Sequence, residues 1–355
     1  MTYKETLFFV GKCLTITHEK ENLKIVEQEI KANKINWDNV VKLSTAHYVF
    51  PALYCNLKRA NFLQYLPDDL VAYMEHITSL NRERNRQIIE QAKEINKLLL
   101  TNNITPIFLK GTGNLLEGLY EDISERMVGD IDFLVPKKHF DNTIQVLKEN
   151  GYQEKTKNSI DNTILNRHYP KMVKKNKIGA IEVHYKMITN EKSFNYHTIE
   201  QTLKKTTENI TVLSNDNQIL MTCFNKQLND KSQWFKNVSL RNSYDLYLLS
   251  KETSIQKAIC TLKNSKLSNY LTNFIASTSF FFNNPKSLEY LKTNRTKKFI
   301  EKQIILIDNP KKGNVNKKFW NLYFLYKNRL TVVLKSFYNK KYRSYIFAKF
   351  LKSLK

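Results

Sequence analysis

The chain has 355 residues, of which 41% are hydrophobic, and carries 57 Lys and Arg against 33 Asp and Glu. That apolar content can bury a core spanning two or three structural units and excludes an intrinsically disordered chain. A formal net charge of +24 points to an anionic partner such as a nucleotide, nucleic acid or a membrane surface, unless it reflects a compositional bias that also enriches Asn, Ile, Phe and Tyr.

Cys13, Cys55, Cys223 and Cys260 lie far apart and form no CxxC pair, so neither a disulfide framework nor a structural zinc site is expected. The first ten residues lack the pattern of a secretion signal, and a cytoplasmic location is the expectation. The longest uncharged window, residues 267–285, holds too many Asn, Ser and Thr to cross a bilayer, so no transmembrane segment is expected.

Residues 1–100 read as helical, with apolar positions recurring every three or four residues. One helical pair over residues 37–57 is interrupted near Pro51, and a longer pattern covers residues 67–100. Its polar centre, residues 81–87 (NRERNRQ), suggests a solvated face or one turned towards a nucleotide.

Residues 101–195 read differently, as short apolar runs punctuated by Gly and Pro, which marks strands alternating with helices. Strands are expected at 106–109, 129–135, 168–174 and 180–186. A turn and helix are expected at 111–119, and a second helix at 137–150, stopped by Gly151. Residues 196–355 read as helical again, giving three regions: 1–100, 101–195 and 196–355. From Lys251 onward there are 23 Lys and Arg against 4 Asp and Glu, a net +19. Over residues 319–355 the lysines alternate with aromatics. That mixture suits single-stranded nucleic acid or a membrane interface, and equally a helical hairpin that buries its aromatics.

The chemistry concentrates in the middle region. In the segment VGDIDFLV, residues 128–135, strand alternation turns Asp130 and Asp132 to one side and Ile131 and Phe133 to the core. Two such carboxylates suit a hard divalent cation that shares its remaining positions with phosphate oxygens. The same alternation in IEVHY, residues 181–185, turns Glu182 and His184 together, making Glu182 a third candidate acid. Lys110, Gly111 and Thr112 stand at a strand-to-helix turn that presents backbone N–H groups to an anion, with Arg126 as a further donor. His168 and His184 are candidates for substrate contact or proton transfer. Arg241 and Asp245, four apart on a predicted helix, are spaced for an ion pair.

The segments FLKGTG (108–113), LYED (119–122), Arg126 and GDIDFLV (129–135) resemble the signature of an uncharacterised bacterial nucleotidyltransferase family within the DNA polymerase β-like superfamily. HYP (168–170), IEVHY (181–185) and LRNSYDL (240–246) extend the resemblance over roughly residues 30 to 250. It implies an α+β fold with a small mixed β-sheet nucleotidyltransferase core between N-terminal and C-terminal helical regions. It further implies Asp130, Asp132 and Glu182 as catalytic acids and metal ligands, with Mg2+ or secondarily Mn2+. Lys110, Gly111, Thr112 and Arg126 would bind an NTP such as ATP. The acceptor stays open between a small molecule and RNA, the latter as the target of a tRNA-modifying toxin or defence-type enzyme. A catalytically silent nucleotide- or RNA-binding module is the alternative, and a D-x-D glycosyltransferase is disfavoured by the short strand cluster.

Overall fold

The computed structural model describes residues 1–156, 166–188, 193–262 and 265–353; the last two residues of the basic tail lie outside this range. It is an α+β fold, with a mixed sheet between helical regions.

The N-terminal region comprises α1 (Tyr3–Cys13), α2 (Lys20–Lys31), α3 (Trp37–Ala46), α4 (Phe50–Arg59) and α5 (Asp68–Thr101). The break near Pro51 is the α3–α4 corner, where Pro51 occupies the first turn of α4 and its missing N–H costs nothing. Along α5, Ile88, Ala92, Ile95 and Leu99 recur at helical spacing and are buried.

The sheet region runs β1 (Ile107–Phe108), α6 (Lys110–Glu117), β2 (Asp130–Leu134), α7 (Phe140–Glu149), β3 (Gln153–Glu154), β4 (Met172–Val173), β5 (Ala180–His184), α8 (Tyr196–Ile199), β6 (Lys204–Lys205) and β7 (Thr211–Val212). Among the described residues the strand order is β3-β4-β5-β2-β1-β7-β6. At the centre, β2 pairs parallel with β5 and antiparallel with β1. The strands β6 and β7 come after residue 195, where the sequence suggests helix; β7 pairs with β1, so the sheet extends beyond the expected end of the core region. Two-residue strands carry no readable alternation, and their conformation is set by the neighbour they pair with.

Gly113 has a packing reason to be glycine: a Cβ there would stand 2.7 Å from the carbonyl oxygen of Phe108. Its absence lets α6 start directly against the end of β1.

The C-terminal region contains α9 (Asn215–Phe224), α10 (Ser232–Phe235), α11 (Leu240–Glu252), α12 (Ile255–Cys260), α13 (Ser265–Phe281), α14 (Asn294–Asp308), α15 (Pro310–Ser336) and α16 (Lys340–Ser353). A π-helical turn, Asn225–Asn229, follows α9. The N-terminal helices pack on this region rather than standing apart. A Cβ on Gly11 of α1 would meet the Phe281 carbonyl oxygen at 2.3 Å, a separation open only to glycine.

Helices α15 and α16 form the hairpin anticipated as one reading of the tail, but most of its aromatics are not core. Phe319, Tyr326, Phe337, Tyr338, Phe347 and Phe350 are exposed, while Trp320 and Phe324 pack on Trp234. No described helix is long and apolar enough to cross a membrane.

Candidate active site

In β2, Ile131 and Phe133 are fully buried beneath the sheet, which turns Asp130 and Asp132 the other way. The parallel register sets Asp132 directly beside Glu182 on β5, with Leu134 beside His184. Because β5 lies between β4 and β2, Glu182 is held inside the sheet and not at a solvent-washed edge.

These carboxylates sit in a web of cations. The Lys110 ammonium lies 2.6 Å from Asp132 Oδ1 and 3.9 Å from Glu182 Oε2. Lys171 lies 2.5 Å from Asp130 Oδ2 and 3.4 Å from Glu182 Oε1. His184, fully buried, has its Nε2 2.9 Å from Asp132 Oδ1 and 3.5 Å from Glu182 Oε2. Burial alone would raise the Asp132 carboxyl, but the Lys110 charge and the His184 hydrogen bond outweigh it and hold the group well below the usual carboxylate range. Glu182 is lowered too: burial and the Asp132 charge oppose this, and the His184 hydrogen bond and Lys110 prevail. Lys171 loses some affinity for its proton through burial but gains more from Asp130 and Glu182, so it stays charged.

Asp132, Glu182 and His184 each offer a ligand atom within 4.8 Å of the others, a group able to hold a metal ion. Asp130 stands outside that trio and reaches Glu182 through the Lys171 ammonium. Asp132 and Glu182, with Asp130 beside them, offer carboxylate oxygens of the kind a hard divalent cation prefers, and His184 adds a nitrogen within reach. In this arrangement Nε2 of His184 orients Asp132, and Nδ1 of the ring is buried with no partner among the described residues.

The turn before α6 is shaped as its sequence suggests. Leu109 is extended, and the helix opens at Lys110 without a side-chain cap, leaving the first N–H groups without intrahelical partners. Lys110 itself sits at φ +55, a left-handed conformation that side chains seldom adopt and that stores about 1–3 kcal/mol of strain. The Thr112 hydroxyl donates to the Asp130 carbonyl at 3.0 Å, which ties the helix start to the acid-bearing strand.

Arg126 is buried. Its Nε donates to Asp245 at 2.9 and 3.0 Å, and its Nη1 donates to the Met127 carbonyl at 2.8 Å. Nη2 faces Gly111, where an added Cβ would stand 3.3 Å away. Asp245 is therefore partnered with Arg126; the ion pair with Arg241 suggested by helical spacing is not formed.

The loop leading into β2 is clamped by Asn81, Arg82, Arg84 and Asn85 from the polar centre of α5, whose Glu83, Arg86 and Gln87 form the solvated face. Asn81 donates to the Ser124 carbonyl at 2.6 Å, and Asn85 donates to those of Ile123 and Arg126 at 2.6 and 2.7 Å. Arg82 pairs with Asp122 at 2.6 Å, and Arg84 reaches the Gly129 carbonyl at 3.2 Å.

The acids open onto a cleft of about 310 Å3 between the sheet and the C-terminal helices. Its walls include Lys110, Gly111, Arg126, Asp130, Asp132 and Glu182 from the sheet side, and Thr222, Asn225, Asp230, Arg241, Asn242 and Asp245 opposite. Val128, Gly129, Arg167 and His168 complete it. The volume is in the range of small-molecule sites, about 300–1,000 Å3. Sequence reasoning missed Lys171, Arg167 and most of the facing wall, of which it named only Arg241 and Asp245, as an ion pair. Lys171 had one available signal: it directly precedes Met172, whose side chain is buried, so alternation turns Lys171 to the acid side.

Paired carboxylates on adjacent strands, cations beside them and a helix start come together at the mouth of one cleft. The chain belongs to the family described as uncharacterised nucleotidyltransferases, whose model matches residues 33–271, and it is a transferase enzyme. No curated protein and no solved structure matches it.

Proposed function

We propose that the protein is a Mg2+-dependent nucleotidyltransferase of the DNA polymerase β-like kind, which moves a nucleoside monophosphate from an NTP to an acceptor and releases pyrophosphate. The observation that carries this reading is the parallel register of Asp132 with Glu182, with Asp130 and Lys110 at the same edge. Asp130, Asp132 and Glu182 are the residues that would hold Mg2+ or Mn2+, which when bound would neutralise phosphate charge and favour departure of pyrophosphate. An acceptor oxygen attacks the α-phosphorus in line; the new P–O bond forms as the bond to the pyrophosphate oxygen breaks, and a hydroxyl acceptor gives up its proton.

The chain's own groups supply positioning. Lys110 supplies positive charge beside the triphosphate, and the backbone N–H groups of Lys110, Gly111 and Thr112 point to its oxygens at the start of α6. The Thr112 hydroxyl is occupied by Asp130, so its contact is through the main chain. Arg126 reaches the same place with Nη2 while Asp245 holds the rest of its guanidinium. A cytoplasmic setting, with its NTP pool, suits this chemistry.

Incubation with radiolabelled NTPs, Mg2+ and a cell extract tests the reading. A labelled acceptor is expected with the native protein and not with the Asp130→Ala, Asp132→Ala double variant. No labelling, or equal labelling by both, would sink it.

The C-terminal hairpin supports RNA as the acceptor class, as in a tRNA-modifying toxin or defence-type enzyme. From residue 309 to the end there are thirteen Lys and Arg and no Asp or Glu, interleaved with exposed aromatics. Binding of single-stranded RNA should then weaken steeply with salt, as released counterions require; binding insensitive to salt argues against it. A silent binding module would instead keep its RNA contact after loss of the acids and show no transfer.

A further inference from the structure

Beside the catalytic cleft lies a second, larger cavity of about 630 Å3, and Arg241 forms part of the wall of both. We propose that this cavity is the acceptor site and that it takes a phosphate monoester whose carrier includes a planar aromatic ring or base. The inference rests on the nucleotidyl-transfer reading of the neighbouring cleft and specifies the chemical group by which the acceptor is held.

The lining has one sign of charge. Lys226, Lys236, Arg241 and Lys317 line it with Tyr48 and Phe235, Lys226 also pairing with Asp230 at 3.3 Å, and no carboxylate side chain among the described residues lines the cavity. Such a wall repels cations and metals and attracts an anion.

Arg241 supplies the strongest pointer. Its helical neighbour Asp245 is occupied by Arg126, and its Nη1 reaches the Met127 carbonyl at a long 3.4 Å. Its Nε is buried and has no acceptor among the described residues. Burial, followed by the Arg126 charge, lowers its hold on its proton to about 10, as expected for a cation lacking its counterion. A half-buried guanidinium with no paired carboxylate is a ready partner for an incoming phosphate oxygen.

A ring platform stands next to it. The Arg241 guanidinium lies over the Tyr48 ring, 4.8 Å from its centroid. Tyr48 is 52% exposed and adopts φ +57, a conformation strained for so bulky a side chain. The α3–α4 corner therefore holds an exposed aromatic ring against a half-buried cation instead of burying the ring. A planar group can stack on Tyr48 while its phosphate meets Arg241 and the lysines of the same wall. The first turns of α15 contribute Gly313, Asn314 and Lys317 to the far wall, so the acidless hairpin leads directly into the cavity.

The phosphate can belong to a small metabolite or to the end of an RNA strand, and titration calorimetry on the full-length protein separates the two. The probes are phenyl phosphate against phenol, and a 5′-phosphorylated single-stranded RNA against its 5′-hydroxyl form. Phenyl phosphate should bind at least tenfold more tightly than phenol, and Tyr48→Ala and Lys236→Gln should each weaken it at least fivefold. If only the phosphorylated RNA binds and responds to the same variants, the site stands and its ligand is a nucleic-acid end. The site is overturned if neither phosphate binds, if both variants leave binding unchanged, or if a nucleotide displaces phenyl phosphate competitively. Fluorescence of a mant-labelled nucleotide with Mg2+ is read in parallel; it should persist in Tyr48→Ala and Lys236→Gln and be lost in Asp132→Ala. Failure of that signal counts against nucleotidyl transfer, and failure of the phosphate probes counts against this cavity. Should Tyr48→Ala not fold by circular dichroism, Lys317→Gln takes its place.

Discussion

Arg126 and Asp245 form a buried ion pair, Nε to Oδ1 2.9 Å, that joins the loop before the acid-bearing strand to the helix across the cleft. Tyr120 donates a further hydrogen bond to the same carboxylate oxygen, at 2.8 Å. The pair sets the width of the cleft, because one partner stands on each wall. Asp245→Ala would leave the buried guanidinium uncompensated and should cost about 3–5 kcal/mol of stability in urea unfolding. An Arg126→Met, Asp245→Leu double variant should recover most of that loss and still fail in nucleotidyl transfer, since Nη2 beside Gly111 is gone. A single Asp245→Ala cost below about 1 kcal/mol would show that the pair is not a strut.

Asp132 and His184 should separate in their effects. Asp132→Asn removes a charge from the acid set and should abolish transfer while leaving the fold intact, because Asn can still accept from Lys110 and His184. His184→Gln alters the group that orients Asp132 and lies 3.5 Å from Glu182, and on the proposed metal-binding role of these acids should cost about 10–100-fold in activity or metal affinity. Steady-state labelling across a Mg2+ titration checks both. Equal losses from the two substitutions would give His184 a direct role.

Asn85 donates to two backbone carbonyls of the loop that feeds β2. Asn85→Ala leaves those buried acceptors short of donors and should destabilise the protein by about 1–3 kcal/mol. It should also raise the rate of amide hydrogen exchange over residues 123–129 more than elsewhere. Uniform exchange changes would mean that α5 does not clamp this loop in particular.

His47 makes stability depend on pH. Its Nδ1 is the acceptor for the Leu240 N–H at 3.2 Å, and its Nε2 lies 2.9 Å from the Tyr3 hydroxyl. Burial, helped by the Lys226 charge, pushes the ring down to about 4 from an ordinary value of 6.5. Between those values the unfolded chain binds the proton and the folded one does not. Stability is therefore fully present above 6.5 and is lost as pH falls towards 4, by about 1–3 kcal/mol. Urea unfolding at pH 7.5 and 4.5 should show that loss in the native protein in excess of whatever His47→Gln shows. An identical pH response in both would assign the dependence to other groups.

The paired acids are legible in the sequence because strand alternation is a local rule. Once Ile131, Phe133, Ile181 and Val183 are assigned to the core, the side on which Asp130, Asp132, Glu182 and His184 lie follows. The α6 turn and the stop at Gly151, at φ +85, are legible for the same reason: backbone conformation there depends on neighbouring residues. Asn81 and Asn85 mislead as polar residues on a long helix, since composition does not distinguish a solvated amide from one satisfied by a buried loop.

What the sequence by itself determined is the local content: the strands with their acid faces, the helix start at Lys110, the acidless tail and the family resemblance. Only the tertiary structure decided that Asp132 meets Glu182 in register, that Lys171 bridges Asp130 to Glu182, and that Asp245 answers Arg126 and leaves Arg241 without its expected acidic partner. The Asp130–Lys171 and Arg126–Asp245 pairs join residues 41 and 119 positions apart, and the short strands β6 and β7 owe their form to the neighbours they pair with. Periodicity reports which side of an element a residue takes, whereas the partner it finds there depends on how the whole chain closes around a common core.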